Sequence, residues 1–276
     1  MTSQFERIIA YVVVSLFAVV AVYPLLAVLQ LSLQPGRSTF ESFGLPDGLT
    51  LDNFSAAWEQ GGFGGALWSS FLVAAVVAIV SAFLSIMAAY ALTMFSWRGA
   101  TPIFLFMLVG LVAPYEGMVI PLYYDLKDLG LTNTYWALIL PQIGLSVSFG
   151  TFWLRSFFLS APRAIVDAAR VDGASSWGTL WRVLFPQAMP AMTALVVLFF
   201  IFTWNEFLLA LVMLPDPQGI RTAPLVLADF AGSQRGTVNL PLTAAAALIV
   251  AAPVVAVYIA LQRRFINGLL AGAVKE

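Results

Sequence analysis

Cysteine and histidine are both absent from this chain of 276 residues. Without them the chain has no disulfide, no thiolate or imidazole metal ligand, and no Ser–His or Cys–His catalytic pair. Charged residues are also scarce, at 10% of the sequence, where an average soluble domain has about 25%. The formal net charge of -1 offers no basic surface for a nucleic acid. No cofactor and no metal are expected, and nucleic acid is excluded as a partner.

What the chain has instead is apolar surface. Hydrophobic residues make up 61% of the sequence, and its mean hydropathy is +0.92. Such a chain cannot cover a globule with polar side chains, so the composition excludes a soluble enzyme. It also excludes a disordered chain, because disorder requires low hydrophobicity and high charge. The composition predicts an integral membrane protein that is not itself an enzyme.

Apolar runs long enough to cross a bilayer core, about 20 residues each, occur repeatedly along the chain. We predict an all-α protein with one transmembrane domain over residues 1–276 and six transmembrane helices. The third span contains Pro114, Gly117 and Pro121, which we expect to interrupt it. The predicted spans are 8–33, 66–94, 102–124, 134–158, 188–214 and 240–262, and 159–187 is the longest connection on its side of the membrane.

The distribution of Lys and Arg predicts the orientation of these spans. With a cytoplasmic N-terminus, the inner segments hold nine Lys and Arg residues and the outer loops hold four. Positive residues accumulate on the cytoplasmic side of membrane proteins. Both termini and the 159–187 connection are therefore expected in the cytoplasm, and the 215–239 loop is expected outside.

The cytoplasmic connection has the pattern of two short helices joined by a turn. Ser160 is predicted as the N-cap of the first helix, with Pro162 in its first turn. Gly173 then ends that helix in a left-handed conformation. Ser175 or Ser176 is predicted to cap the second helix, and Pro186 is predicted to close it. The first of these helices carries a small-residue face, Ala168 and Ala169. Three flanking charged residues can pair with another surface: Asp167, Arg170 and Asp172.

One motif in this connection resembles that of a known family. Asp167-Ala168-Ala169 is followed after three residues by Gly173, and after nine more by Val183-Leu184-Phe185-Pro186. The pattern is similar to the Glu-Ala-Ala, Gly, Ile-x-Leu-Pro signature of permease subunits of bacterial ATP-binding-cassette (ABC) importers, with Asp, Val and Phe as departures. The resemblance is to the carbohydrate branch, typified by the smaller maltose-transporter permease. Other similar segments are 112–123, 129–136, 150–158, 204–208 and 262–275.

The resemblance implies a type I importer fold in the bacterial plasma (inner) membrane. It implies three kinds of partner: a second permease, an ABC ATPase dimer and an extracytoplasmic sugar-binding protein. Two interpretations of the 215–239 loop stay open: it reaches into the docked binding protein, or it is an ordinary connector. The chain has no phosphate-binding loop, so ATP hydrolysis is expected on a separate chain. By resemblance, the residues that couple to the ATPase are Asp167, Ala168, Ala169, Asp172, Gly173 and Pro186.

Two carboxylates inside the predicted spans are candidates for the transport pathway. A charge in the membrane is costly, so Glu116 and Glu206 are expected to face a cavity or a partner. For Glu116 the alternative is local capping or a position near the outer interface. Trp204 and Asn205, beside Glu206, suit a sugar, because an aromatic ring stacks on sugar C–H groups and an amide binds hydroxyls. Helix packing is the alternative for this second group.

Two other functions remain open on the sequence. The first is an ion-coupled secondary transporter that uses Glu116 or Glu206 as its proton-carrying group. The second is an importer permease of the same architecture for a solute that is not a sugar. The main hypothesis is an importer permease that forms half of a sugar pathway and couples to its ATPase through the 160–186 loop.

Overall fold

The computed structural model describes residues 4–35, 48–95, 97–234 and 239–273. These residues form helices and connecting turns, with no strand among them, which confirms the predicted all-α class. The helices are α1 (Gln4–Ser32), α2 (Asp52–Gly61), α3 (Phe63–Met94), α4 (Ala100–Val112), α5 (Tyr115–Asp128), α6 (Tyr135–Ser160), α7 (Arg163–Val171), α8 (Ser176–Gly178), α9 (Phe185–Trp204), α10 (Leu208–Met213), α11 (Ala223–Ser233) and α12 (Leu240–Ala273). A π-helical turn, Thr179–Leu184, joins α8 to α9.

Five helical stretches are long and apolar enough to cross a membrane. They are α1, α3, α6, the continuous stretch Ser176–Trp204, and Leu240–Gln262 of α12. The pair α4 and α5 also passes this test, although its two helices are bent by 100°. With that pair taken as one span, the described residues hold up to six candidate spans. The exact span boundaries stay predictions.

The third predicted span is broken in one place and not in three. α4 ends at Val112, and α5 begins at Tyr115 after Pro114. Pro121 and Gly117 lie inside α5 and leave it continuous, contrary to the expectation that they interrupt the span. A proline inside a membrane helix removes one hydrogen bond without ending the helix when neighbouring elements pack on it.

The fifth predicted span, 188–214, differs more strongly from the structure. Its helix α9 ends at Trp204, and a three-residue break separates it from the short helix α10. Polar side chains serve the backbone at this break. The Asn205 side-chain amide donates to the Ile201 carbonyl at 2.8 Å, and a Glu206 carboxylate oxygen accepts from the Leu209 amide at 2.8 Å.

Three predictions for the 160–186 connection, at Ser160, Pro162 and Pro186, are wrong. Ser160 is the last residue of α6, where its hydroxyl donates to the Phe157 carbonyl at 2.7 Å, and Pro162 is the N-cap of α7. Pro186 does not close the second helix but lies in the first turn of α9. The helix passes through this proline because the π-helical turn precedes it, with the Phe185 amide donating to the Leu180 carbonyl.

The chain divides into two compact units. The first comprises residues 1–64 and 226–252, and the second comprises residues 65–225 and 253–276. In the first unit, the Asn53 side-chain amide donates to the carbonyls of Ser32 at 2.8 Å and Gln34 at 2.9 Å, which ties α2 to the end of α1. Phe63 and Phe230 pack edge to face there, 5.7 Å apart.

The second unit is built around α3, α5, α6, α9 and α10. α6 packs against α4, α9 and α10, and α5 packs against α10. The buried cluster includes Val77, Val119, Leu138 and Leu209. Gly150 of α6 marks a close approach, because a Cβ there would overlap the Ser85 side chain of α3 and contact Phe199 of α9.

Candidate functional site

Helix α7 presents two different faces. Val166 and Ala169 are buried, at 5% and 8% exposed, while Ala168 is exposed and Val171 is 87% exposed. The Ala168 and Ala169 pair is therefore not one small-residue face. Ala168 is available to a partner, and Ala169 belongs to the packing beneath the helix.

The charged residues of α7 lie on its exposed side. Asp167 and Arg170 form an ion pair of 3.9 Å, with 67% and 57% of their side chains exposed. Asp172, the C-cap residue, is also exposed. An exposed pair of this kind contributes little to stability, so breaking it costs the fold little.

A tight turn at Gly173 ends α7. Gly173 has a φ of +77°, in the left-handed region that glycine adopts without strain. The Ala174 amide donates to the Ala169 carbonyl at 2.9 Å, and the Gly173 amide donates to the Arg170 carbonyl at 3.0 Å. These two bonds form a Schellman motif. The prediction of a left-handed helix end at Gly173 is confirmed.

The next helix begins two residues later. The Ser175 hydroxyl accepts from the Gly178 amide at 3.1 Å, so Ser175 and not Ser176 is the N-cap. An open cavity of about 550 Å³ lies between α7 and this second helix. Its lining includes Ala169, Asp172, Gly173, Trp177, Trp181 and Arg182.

The second candidate region lies at the two helix breaks. Glu116 is exposed in the first turn of α5, directly after the break at Pro114. Its neighbour Tyr115 has a buried hydroxyl with no hydrogen-bond partner among the described residues. The sequence did not single out Tyr115, although it stands beside both Pro114 and Glu116 at the start of α5.

The other predicted pathway residues have local roles in the structure. Trp204 is 2% exposed and stacks on Phe200, with ring centroids 5.7 Å apart. Asn205 is exposed but its amide is bonded to the Ile201 carbonyl, and Glu206 caps α10 through the Leu209 amide. Of the four predicted pathway residues, Glu116 is the one that is exposed beside a helix break, and α5 has no side-chain hydrogen bond at its N-cap.

Comparison with known proteins identifies the family. Residues 81–269 match the family described as "Binding-protein-dependent transport system inner membrane component". The chain belongs to this family. It is 32% identical over 269 residues to the diacetylchitobiose uptake system permease protein NgcG of Streptomyces coelicolor, covering 97% of this chain and 87% of that protein. It is 33% identical over 268 residues to the arabinooligosaccharides transport system permease protein AraQ of Halalkalibacterium halodurans, covering 94% and 92%.

A solved structure has the same fold. It is a bacterial ABC transporter involved in the import of the acidic polysaccharide alginate. The match has a TM-score of 0.74 at 24% identity, and covers 96% of this permease and 99% of that chain. The predicted type I importer fold is confirmed.

Family membership decides between an importer permease and an ion-coupled secondary transporter. The chain is the permease of an ABC importer, an inner membrane component and not a catalytic subunit. Permeases of this kind work with an ATPase, a binding protein and a second permease in general. The alternative of an ion-coupled secondary transporter is not supported.

Proposed function

We propose that this permease forms half of the translocation pathway of an ATP-driven sugar importer. The observation that supports this most directly is the 160–186 loop. It presents an exposed Ala168 between exposed charges and ends its first helix in a glycine turn that no bulky residue occupies without strain. A loop of this shape lets another protein approach the backbone of α7 closely.

The loop is the contact for a separate ATPase. Asp167, Ala168 and Asp172 provide its exposed contact surface, and Gly173 fixes the turn. Ala169 acts from within, because it is buried beneath α7. Pro186 is exposed in the first turn of α9, where the second loop helix continues into the span. Asp167 has a shorter side chain than the family's Glu. Its carboxylate lies nearer to the α7 backbone, so a partner cation must approach the helix more closely to pair with it.

The proposed substrate is a carbohydrate. Two relatives that match nearly the whole chain are named for diacetylchitobiose and for arabinooligosaccharides. Along the pathway, Glu116 beside the break at Pro114 is the leading residue for contact with a sugar hydroxyl. The second break borders the pathway without contacting the sugar. Its backbone is bonded by the side chains of Asn205 and Glu206, and Trp204 is buried beside it.

The proposed complex contains this permease, a second homologous permease, two copies of an ABC ATPase and an extracytoplasmic sugar-binding protein. ATP is hydrolysed on the ATPase chains. Both termini and the 160–186 loop face the cytoplasm of the bacterium, and the 215–239 loop faces the binding protein. The excess of Lys and Arg on the loop side supports this orientation.

A bulky residue at Ala168 tests the ATPase contact. Ala168→Trp fills the exposed surface between Asp167 and Ala169 and leaves the packing beneath α7 intact. The control is Ala251→Trp, the same change at an exposed position of α12. After gentle extraction, we expect the ATPase to co-purify with the control and not with Ala168→Trp, and sugar uptake to fall accordingly. Equal ATPase content in both preparations would contradict the proposed contact.

A further inference from the structure

The loop is connected to the rest of the permease by more than its own chain. Its covalent neighbours are α6, which ends at Ser160, and α9, which begins at Phe185. α3 is distant from the loop in sequence, yet it makes a direct hydrogen bond with it. The Tyr90 hydroxyl donates to the carbonyl of Ser176 at 3.0 Å, across 86 positions of sequence.

Tyr90 is held firmly in the position from which it makes this bond. It is 6% exposed. Its ring packs edge-on against Phe158 in the last turn of α6, with centroids 6.0 Å apart, and against Phe95, with centroids 5.6 Å apart. A buried hydroxyl in a fixed ring has few alternative partners, so the bond to Ser176 restrains the start of the second loop helix relative to α3.

A second contact lies two turns earlier on the same face of α3. Phe83 stacks on Trp181 of the π-helical turn, with centroids 5.4 Å apart and an interplanar angle of 17°. Trp181 also contacts Trp177 and Phe185, at 5.5 Å and 5.0 Å. Positions 83 and 90 are seven residues apart and share one side of a helix. The segment 176–185 therefore contacts one side of α3 at two positions, Phe83 and Tyr90.

The far end of α3 has polar contacts of its own. The Ser70 hydroxyl accepts from the Ala223 amide, at the first residue of α11, at 2.8 Å in a buried position. The Ser69 hydroxyl shares a hydrogen bond of 3.0 Å with the Tyr135 hydroxyl. A helix of 32 residues is about 48 Å long at about 1.5 Å per residue. Because α3 is one unbroken helix, it links the loop at one end to the beginning of α11 at the other.

We propose that Tyr90 is a positioning residue that makes α3 move with the 160–186 loop, as a third route besides α6 and α9. When an ATPase displaces the loop, the Tyr90 to Ser176 bond and the Phe83 stack carry that displacement into α3. Through Ser70, α3 carries it to Ala223 at the start of α11. This inference rests on the proposed function of the loop as the ATPase contact.

The test uses the complete transporter, extracted with its ATPase and reconstituted with its binding protein in proteoliposomes. Tyr90→Phe removes one oxygen atom and keeps the ring packing against Phe158. The control is Tyr11→Phe on the exposed surface of α1. Three quantities are measured for each variant: basal ATP hydrolysis, its stimulation by the sugar-loaded binding protein, and sugar transported per ATP hydrolysed.

We expect Tyr90→Phe to keep its ATPase content and basal ATP hydrolysis. We expect stimulation by the binding protein to fall about two- to tenfold, the range that one hydrogen bond contributes. A purely structural tyrosine would lower the yield and the basal rate together and leave the degree of stimulation unchanged. Where Tyr90→Phe reduces the yield, Phe83→Leu carries the test, because it removes the stack on Trp181 and leaves the hydrogen bond.

The outcomes separate this inference from the function on which it rests. Wild-type stimulation in Tyr90→Phe and in Phe83→Leu, with an ATPase present, would overturn the role of α3 alone. A wild-type preparation that contains no ATPase would overturn the proposed function of the loop and the role of α3 together.

Discussion

Two regions of the permease carry polar residues in an apolar chain, and they use them differently. In the 160–186 loop, Asp167, Ala168 and Asp172 are exposed. At the helix breaks, by contrast, the polar groups of Asn205 and Glu206 already serve the backbone. The charged side chains that the structure describes in the loop are exposed. The breaks are largely satisfied by the permease itself.

The difference follows from the surroundings of each region. Backbone groups freed at a break inside a membrane have no water to bind, so nearby side chains must satisfy them. A turn outside the membrane has water available, and its side chains are not required for that purpose. A polar residue within a span is therefore weak evidence of a transport pathway until its hydrogen-bond partners are known. An exposed polar residue in a loop is stronger evidence of an interface.

The largest effect is expected at Trp204. Trp204→Ala removes a side chain that is 2% exposed and stacked on Phe200, and such a truncation costs about 3–5 kcal/mol of unfolding free energy. Unfolding in mixed detergent micelles measures it. Trp136→Ala, at an exposed tryptophan, is the control and should change stability far less. A stable Trp204→Ala variant that fails only in sugar transport would place Trp204 in the pathway. It would weaken the contrast between the exposed loop and the helix breaks.

A smaller effect is expected at the loop turn. Gly173→Val forces a β-branched residue into a φ of +77°, which costs about 1–2 kcal/mol, and we expect sugar uptake to fall about tenfold, in proportion to that cost. Gly173→Asn should retain most activity, because asparagine tolerates this conformation. Gly178→Ala is a second control, since its Cβ meets only Ser175 Oγ at 3.4 Å and Ala174 Cβ at 3.9 Å. Full uptake by Gly173→Val would show that the turn is dispensable.

A change at Glu206 separates a capping role from a chemical one. Glu206→Leu removes the acceptor for the Leu209 amide and should cost about 1 kcal/mol, as the loss of a helix cap does. Glu206→Gln keeps a side-chain oxygen and should transport sugar nearly as well as wild type. The measurements are unfolding in mixed micelles and sugar uptake. Loss of uptake in Glu206→Gln at wild-type stability would instead assign the carboxylate a direct role in transport.

The smallest effect on stability is expected for the ion pair of α7. Asp167 and Arg170 lie 3.9 Å apart and are mostly exposed, so Arg170→Ala should change the unfolding free energy by less than about 1 kcal/mol. The same variant and Asp167→Ala should weaken ATPase retention by a few-fold, measured as ATPase content after washing at increasing salt. A large loss of unfolding free energy with unchanged ATPase content would show that the ion pair stabilises the fold and does not contact the ATPase.

The sequence predicts the class of fold and the outline of the loop because these depend on strong local signals. Apolar runs mark the long helices, and Gly173 marks a turn that few residues other than glycine adopt. The break at Pro114 is only partly visible, because Pro121 gives the same signal and lies inside the continuous helix α5. The break after Trp204 is not visible, since the apolar residues resume at Phe207 and run through Leu214, and the interruption depends on hydrogen bonds made by Asn205 and Glu206.

Long-range contacts account for the rest of what the sequence does not reveal. Ala169 is buried and its neighbour Ala168 is exposed, and this difference depends on the packing beneath α7. The continuous helix through Pro186 depends on the π-helical turn before it, which has no simple sequence signal. The bond between Tyr90 and Ser176 joins residues 86 positions apart, and no local pattern points to it.

The composition of the intact complex tests the central claim most directly. The permease is extracted gently from its native membrane and weighed by mass spectrometry without dissociating its partners. We expect a particle that contains this chain, a second and different permease, and two copies of an ABC ATPase. A chain that emerges alone, or as a homodimer with no nucleotide-binding subunit, would contradict the assignment of the 160–186 loop as the ATPase contact.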